Sequence, residues 1–174
     1  MEFASFARRF LIPAPIVSLL CWLKFGARVS PRAEVELGPG LRLGRGVNIS
    51  SFTKVKASGP MIVGDHTSIA TGCFIGAGSG GLHIGDNCLI GPNCVIITSE
   101  YRYTQLGVPL RLQGHVSRGT RIGRNVLVGA NSVILDGAQV GDEVIVSAGS
   151  VVSGRIPDAV VVAGNPARVV FKRR

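Results

Sequence analysis

Residues 122–145 read IGRNVL VGANSV ILDGAQ VGDEVI, which is one unit of six residues written four times. The first position of every unit is Ile or Val, the fifth is small, and polar residues occupy positions three and four. An α-helix would need apolar residues about 3.6 positions apart, and a half-exposed strand would need strict alternation. A spacing of six fits neither and predicts a short strand followed by a tight corner. Three units would make one triangular coil of about 18 residues, and coils would stack about 4.8 Å apart.

The same spacing extends outward from this stretch over most of the chain. It runs from Val63 to Tyr101 with three residues, GLH, skipped, resumes at Ile122, and continues more loosely upstream in VSPRAE, LGRGVN and ISSFTK. The first positions should stack into a continuous aliphatic column. The 24 glycines of the 174 residues suit many tight corners, where glycine adopts backbone angles that other residues avoid. We therefore expect one β-helix domain over residues 28–174.

Several motifs of the second half carry a resemblance to a known family. They are IGPNCVIITS, LRLQG, AGSVV and AGNPARVV, within residues 60–172. With the hexapeptide repeats, they resemble the left-handed parallel β-helix acyltransferases, in the branch of the maltose and galactoside O-acetyltransferases and the sugar O-acetyltransferases of polysaccharide biosynthesis. The resemblance implies an all-β, left-handed parallel β-helix that forms a homotrimer. It also implies acetyl-CoA in a groove between adjacent β-helices, a sugar hydroxyl as acceptor, no metal, and a cytoplasmic location.

The repeat is interrupted at TSEYRYTQ, residues 98–105. We expect residues 102–120 to form one external loop between two coils. Solenoid proteins often carry function on such insertions, because the coils themselves are structural. The loop is then an active-site wall or an arm that reaches a neighbouring subunit; the alternative is a tolerated surface insertion.

Transfer to a hydroxyl needs a base that takes the proton of the attacking oxygen, and histidine is the usual choice. The resemblance implies a catalytic histidine where this chain has Tyr101. Four explanations stay open: His115 of the loop is the base, His83 is the base from the coil below, Tyr101 or Glu100 acts in a special environment, or the protein is a non-catalytic trimer that binds CoA or glycan.

The resemblance also implies binding residues, position by position. The expected acetyl-CoA contacts are small residues along the pantetheine and basic residues at the nucleotide phosphates: Ala130, Ala148, Ser153, Arg168 and Lys172. Thr71 and Ser79 fall on acceptor-contacting positions where the maltose-type enzymes have amide and acidic side chains. The donor half of the site therefore matches the family better than the acceptor half.

The first 27 residues are apolar with basic flanks. The run from Phe10 to Leu23 is shorter than the roughly 20 residues of a membrane span. Two interpretations remain: a helical cap on the first coil, or a peripheral anchor on the inner membrane. In the second, Trp22 and Phe25 would lie among the lipid headgroups, and Arg8, Arg9 and Lys24 would face anionic lipid.

The formal net charge of +9 indicates an anionic partner such as a phosphorylated cofactor. Basic residues cluster at Arg118, Arg121 and Arg124 and in the C-terminal tail, without the aromatic interleaving of nucleic-acid binders, so no nucleic acid is expected. Cys73, Cys88 and Cys94 fall on position five and should be small buried residues in a reducing cytoplasm. The three histidines are 17 and 32 residues apart, which argues against the zinc site of a γ-type carbonic anhydrase on the same fold.

Overall fold

The computed structural model describes residues 13–174. Residues 1–12, which include Arg8, Arg9 and Phe10, lie outside the described residues, and so does the part of the anchor prediction that depends on them. Helix α1, Ala14–Phe25, is followed by strands that form three sheets of a parallel β-helix. The predicted β-helix with a helical N-terminal segment is thus confirmed.

Each sheet is a stack of strands taken from successive coils. Sheet A contains β1 Arg28–Val29, β4 Asn48–Ile49, β7 Ser68–Ile69, β10 Leu89–Ile90, β15 Leu127–Val128, β18 Ile145–Val146, β21 Val160–Gly164 and β22 Ala167–Lys172. Sheet B contains β2 Glu34–Val35, β5 Lys54–Ala57, β8 Phe74–Ala77, β11 Val95–Ile97, β16 Val133–Ile134 and β19 Val151–Val152. Sheet C contains β3 Leu41–Leu43, β6 Met61–Val63, β9 Leu82–Ile84, β14 Thr120–Ile122, β17 Gln139–Val140 and β20 Arg155–Ile156.

The chain takes one strand from each sheet in turn, so residues 28–156 make six coils. All pairs within the three sheets are parallel except the last, in which β22 folds back antiparallel on β21. The corners define three edges of the prism: the AB edge joins sheet A to sheet B, the BC edge joins B to C, and the CA edge leads to the next coil. Five of the candidate site residues lie at these corners: Thr71, Ser79, Ala130, Ala148 and Ser153.

The interior is the aliphatic column that the spacing of six predicts. Its members are buried first-position residues: Val63, Ile69, Ile75, Ile84, Ile90, Ile96, Ile122, Val128, Ile134, Val140, Val146 and Val152. Full burial of a Val or Ile side chain contributes about 1.5–3 kcal/mol. The column therefore holds the coils together through many equivalent contacts.

The fifth positions are buried as well. All four cysteines are free and buried, as expected for Cys73, Cys88 and Cys94. The Cys88 thiol lies 3.1 Å from the carbonyl oxygen of Gly123 in the next coil. Burial raises the pKa of Cys88 above its usual value, so this thiol stays protonated.

At position two of the repeat, the corner glycines have a different role from the conformational one predicted from the sequence. Gly85 has no left-handed backbone; instead, a Cβ atom there would lie 2.5 Å from the carbonyl oxygen of Gly123. Left-handed residues occur at position four, where Asn87 and Asn125 have φ angles of 56° and 53°. Glycine is needed at position two because successive corners touch, and the predicted conformational role holds only at fourth positions such as Gly72 and Gly149.

The insertion also differs from its predicted form, because it lies within the fourth coil and not between two coils. The chain leaves after β11, forms the hairpin β12 Glu100–Tyr101 and β13 His115–Val116 with a 3-10 helix at Leu110–Leu112, and returns at β14. The insertion therefore replaces one BC corner. Its strands begin two residues before the predicted start, and Thr120 already belongs to sheet C.

Helix α1 packs one side of its surface on the first coil. Val17 and Cys21 are buried there, whereas Leu19, Trp22 and Leu23 on other sides are 53%, 59% and 65% exposed. The buried side supports the cap interpretation. Within residues 13–174, no helix has the length and apolar character needed to cross a membrane.

Candidate active site

The hairpin places His115 directly against Tyr101. The two residues are paired across β12 and β13, and their ring centroids lie 4.0 Å apart with a 41° angle between planes. Both side chains are exposed. The only histidine of the insertion thus lies beside the position where the resemblance implies a catalytic histidine.

A set of polar contacts fixes the base of this hairpin. Glu100 forms an ion pair of 2.7 Å with Arg118. The buried carboxylate of Asp136, in the next coil, accepts backbone N–H bonds from Arg118 and Gly119 at 2.9–3.0 Å. Ser117 donates its hydroxyl to the carbonyl oxygen of Thr98 and accepts the N–H of Gly80 at 2.8 Å. The base of the insertion is consequently attached to the coils below and above.

The tip of the insertion is held by one amide and presents apolar side chains to solvent. Gln113 donates to the carbonyl oxygens of Gln105 and Val108, both at 2.9 Å. Leu106 is 99% exposed and Tyr103 is 71% exposed. Such a tip is suited to contact with another surface, in keeping with the wall or arm that the sequence predicts.

His83 lies elsewhere than predicted. In sheet C it is paired with Ile62 of the coil below and with Arg121 of the coil above, so Arg121 and not Tyr101 is its neighbour one strand away. The prediction failed because the insertion removes Tyr101 from the ladder. Burial, and then the Arg121 guanidinium, lower the pKa of His83, which is therefore neutral at pH 7. Its Nδ1 atom is buried and has no hydrogen-bond partner among the described residues.

The expected CoA contacts lie mainly along the AB edge. Ala130 and Ala148 occupy successive corners, joined by a bond of 2.8 Å from the N–H of Gly149 to the carbonyl oxygen of Ala130. Arg168 is paired with Ala163 at the start of β22, next to this edge, whereas Lys172 lies at the far end of β22 opposite Val160. Thr71 also lies on the AB edge, three coils before Ala148.

The remaining expected residues lie on the BC edge. Ser79 belongs to the corner below the insertion, and Ser153 to the corner two coils above it. One chain therefore brings Glu100, Tyr101 and His115 together but leaves the small residues of the AB edge on a different side of sheet B. Arg118 of the basic cluster joins this group through its ion pair with Glu100. Asp136 was not predicted, because it shares its repeat position with other aspartates and its sequence context gives no distinguishing signal.

Comparison with known proteins bears on the fold and the family. The model for the bacterial transferase hexapeptide (six repeats) matches residues 119–154, and that for the hexapeptide repeat of succinyl-transferase matches residues 60–96 and 81–111. A solved structure of AntD, an N-acyltransferase from Bacillus cereus in complex with dTDP and coenzyme A, has a TM-score of 0.79 at 20% identity, covering 90% of this chain and 88% of that one. At this identity the likeness shows the fold alone.

Two curated relatives extend the comparison. The putative acetyltransferase YvoF of Bacillus subtilis is 35% identical over 92 residues, which are 53% of this chain and 48% of the relative. The putative lipopolysaccharide biosynthesis O-acetyl transferase WbbJ of Escherichia coli is 27% identical over 167 residues, covering 90% and 78%. The chain spans about half the length of the first curated relatives that it matches. Because the two repeat models together match residues 60–111 and 119–154, the chain belongs to the hexapeptide-repeat transferase family.

Proposed function

We propose that the protein transfers an acetyl group from acetyl-CoA to a sugar hydroxyl in cytoplasmic glycan or polysaccharide biosynthesis. The observation that carries the proposal is the contact of His115 with Tyr101. It supplies an imidazole beside the position where the family resemblance implies the base. The name of the relative WbbJ, a putative lipopolysaccharide biosynthesis O-acetyl transferase, supports the same reaction class.

In this mechanism His115 is the general base. It takes the hydroxyl proton as the sugar oxygen attacks the thioester carbonyl; the C–O bond forms, the C–S bond breaks, and the proton passes to the departing sulfur. Tyr101 orients the imidazole through the ring contact, and the Glu100–Arg118 ion pair holds the strand that carries Tyr101. No covalent intermediate is required, which agrees with four cysteines that are buried in the core.

A homotrimer completes the proposed site. From the third coil to the sixth, the outward row of sheet B is apolar and half-buried in the single chain: Phe74, Val95, Val133 and Val151. If sheet B faces a threefold axis, the AB edge of one copy meets the BC edge of the next. Ala130, Ala148 and Arg168 of one copy would then approach the hairpin of its neighbour. The exposed apolar side of α1 supports a further proposal, peripheral contact with a membrane that carries a lipid-linked acceptor.

A titration followed by turnover tests the proposal. We expect calorimetry to show micromolar acetyl-CoA binding that Arg168→Ala weakens, and a thiol assay to show CoA release with a suitable sugar. His115→Gln should lower kcat by about 10²–10⁴-fold and leave acetyl-CoA binding unchanged. His66→Asn is the matched control, because His66 is exposed at a left-handed corner that Asn tolerates.

The other outcomes identify the alternatives. Full activity of His115→Gln together with inactivity of His83→Gln would make His83 the base. Acetyl-CoA binding without turnover over a broad sugar panel would identify a non-catalytic relative. Absence of acetyl-CoA binding would contradict the proposal.

A further inference from the structure

From the fourth coil to the sixth, the outward row of sheet C is polar and basic, whereas those of sheets A and B are apolar. From the third coil to the sixth it runs His83, Arg121, Gln139 and Arg155 in register. In sheet A the same row is Ser68 in the third coil, followed by Leu89, Leu127 and Ile145. Apolar rows suit contact between copies, so sheet C is the side available to a polar ligand.

Two arginines of this row have no carboxylate partner. Arg118, Arg124 and Arg173 form ion pairs with Glu100, Asp142 and Glu143. Arg121 and Arg155 form none with the residues that the structure describes. They flank Gln139 in a cleft of about 380 Å³. Asp158 also lines this cleft and accepts the N–H of Asp142 at 2.9 Å. The cleft keeps a net positive charge because two arginines face this one carboxylate.

A second cleft continues this one toward the hairpin. It has a volume of about 330 Å³, shares Arg121 and Gln139 with the first, and is also lined by His83, Arg118 and Gly119. Arg118 is the residue that pairs with Glu100 at the base of the hairpin. A ligand that fills both clefts therefore ends beside the His115 strand, on the acceptor side and away from the AB edge.

The chemistry of these clefts suits phosphate. A guanidinium group donates two parallel N–H bonds to phosphate oxygens, and an amide adds a further donor. Arg121 and Arg155 are two strands apart, about 10 Å along the stack, so their long side chains can meet over Gln139. We propose that the two clefts bind the phosphate-bearing end of the acceptor, which is then a sugar joined to a phosphate or diphosphate and not a neutral saccharide. This proposal rests on the proposed function only in identifying the bound phosphate compound as the acceptor.

The test uses inorganic pyrophosphate as the probe and the full chain as the protein. Calorimetric titration should show binding that Arg121→Gln and Arg155→Gln each weaken at least tenfold and that Arg121→Lys restores in part. Arg32→Gln is the matched control, because it removes the same charge from an exposed corner of the first coil. Saturating CoA should leave pyrophosphate binding unchanged.

Three results would overturn the proposal. The first is that pyrophosphate fails to bind at millimolar concentration. The second is that Arg32→Gln weakens binding as much as Arg121→Gln, which would indicate general charge attraction. The third is that CoA displaces pyrophosphate, which would assign the arginines to the phosphates of the donor. Because the test measures binding, it decides the phosphate-site proposal even if no acetyl transfer is found. If transfer is found, Arg121→Gln should raise the KM of a phosphorylated sugar and leave kcat nearly unchanged.

Discussion

At the scale of single residues, close contact between coils restricts the sequence more than backbone conformation does. At Gly64 and Gly85 a Cβ atom would lie 2.6 and 2.5 Å from backbone atoms of the next coil, and neither has a left-handed φ angle. Gly154 is the opposite case, with a φ of 73° and open space around it. The same residue type thus meets two separate requirements in one repeat.

Gly85→Ala should therefore destabilise the protein more than Gly154→Ala. The first forces backbone atoms apart and should cost about 2–3 kcal/mol, in the range of overpacking. The second strains a left-handed residue and should cost about 1 kcal/mol. Urea unfolding measures both, and equal losses would show that space between corners is not the limiting factor.

Aspartates at the CA edge form a second residue-level pattern. Asp65 and Asp142 accept the backbone N–H of Arg45 and Arg124, one coil earlier, at 2.8 Å. The N–H of Arg124, and then its guanidinium, lower the pKa of Asp142. The contribution of this carboxylate to stability is therefore present above the unfolded pKa, about 3.9, and is lost as the pH falls through the lower folded pKa.

Asp142→Asn should reduce the melting temperature at pH 7 by more than it does near pH 3. The reason is that pH 3 lies below the unfolded pKa of about 3.9, so part of the stabilisation that Arg124 and its N–H give to the charged side chain is already lost there. Thermal unfolding at the two pH values measures the difference. A gap between variant and wild type that stays the same at both would mean that the charge of Asp142 is irrelevant.

At the scale of elements, the insertion is the part of the fold that the sequence predicted least well. The break in the repeat indicates that a loop exists, but a hairpin requires knowing that Glu100 and Tyr101 pair with Val116 and His115. That pairing depends on the closure of the base by Asp136, which is distant in sequence. The ladder itself was predictable because every coil repeats one pattern.

Asp136→Ala should loosen the hairpin without dissolving the β-helix. It leaves the N–H groups of Arg118 and of the buried Gly119 without this acceptor, which costs about 1–3 kcal/mol. Hydrogen exchange of residues 115–119 should therefore accelerate. Gln113→Ala is the control, because its bonds lie at the exposed tip and its effect on global stability should stay within about 0.5 kcal/mol. Exchange at residues 115–119 that is equally fast in both variants would contradict the anchoring role of Asp136.

At the scale of the whole molecule, the sequence predicted which residues are buried better than it predicted how the candidate site residues are arranged. The spacing of six assigns each residue to a corner, so the burial of Ile122 or Val128 follows directly. It does not say which corners meet across a subunit boundary. It misplaced His83 because an insertion removes its own residues from the register, and Arg121 took the neighbouring position.

The number of coils between the insertion and the C-terminal strand fixes the distance between the two parts of the proposed site. The hairpin leaves the fourth coil and β22 follows the sixth, so the coils between them set the separation of His115 and Arg168 along the axis. Duplicating residues 128–145 in tandem would lengthen this distance by about 4.8 Å with every local contact preserved. Cooperative unfolding should survive and acetyl transfer should fall at least about a hundredfold, since small misplacements of reacting groups cost that much. Undiminished transfer in this variant would mean that the proposed reaction does not depend on the axial distance between His115 and Arg168.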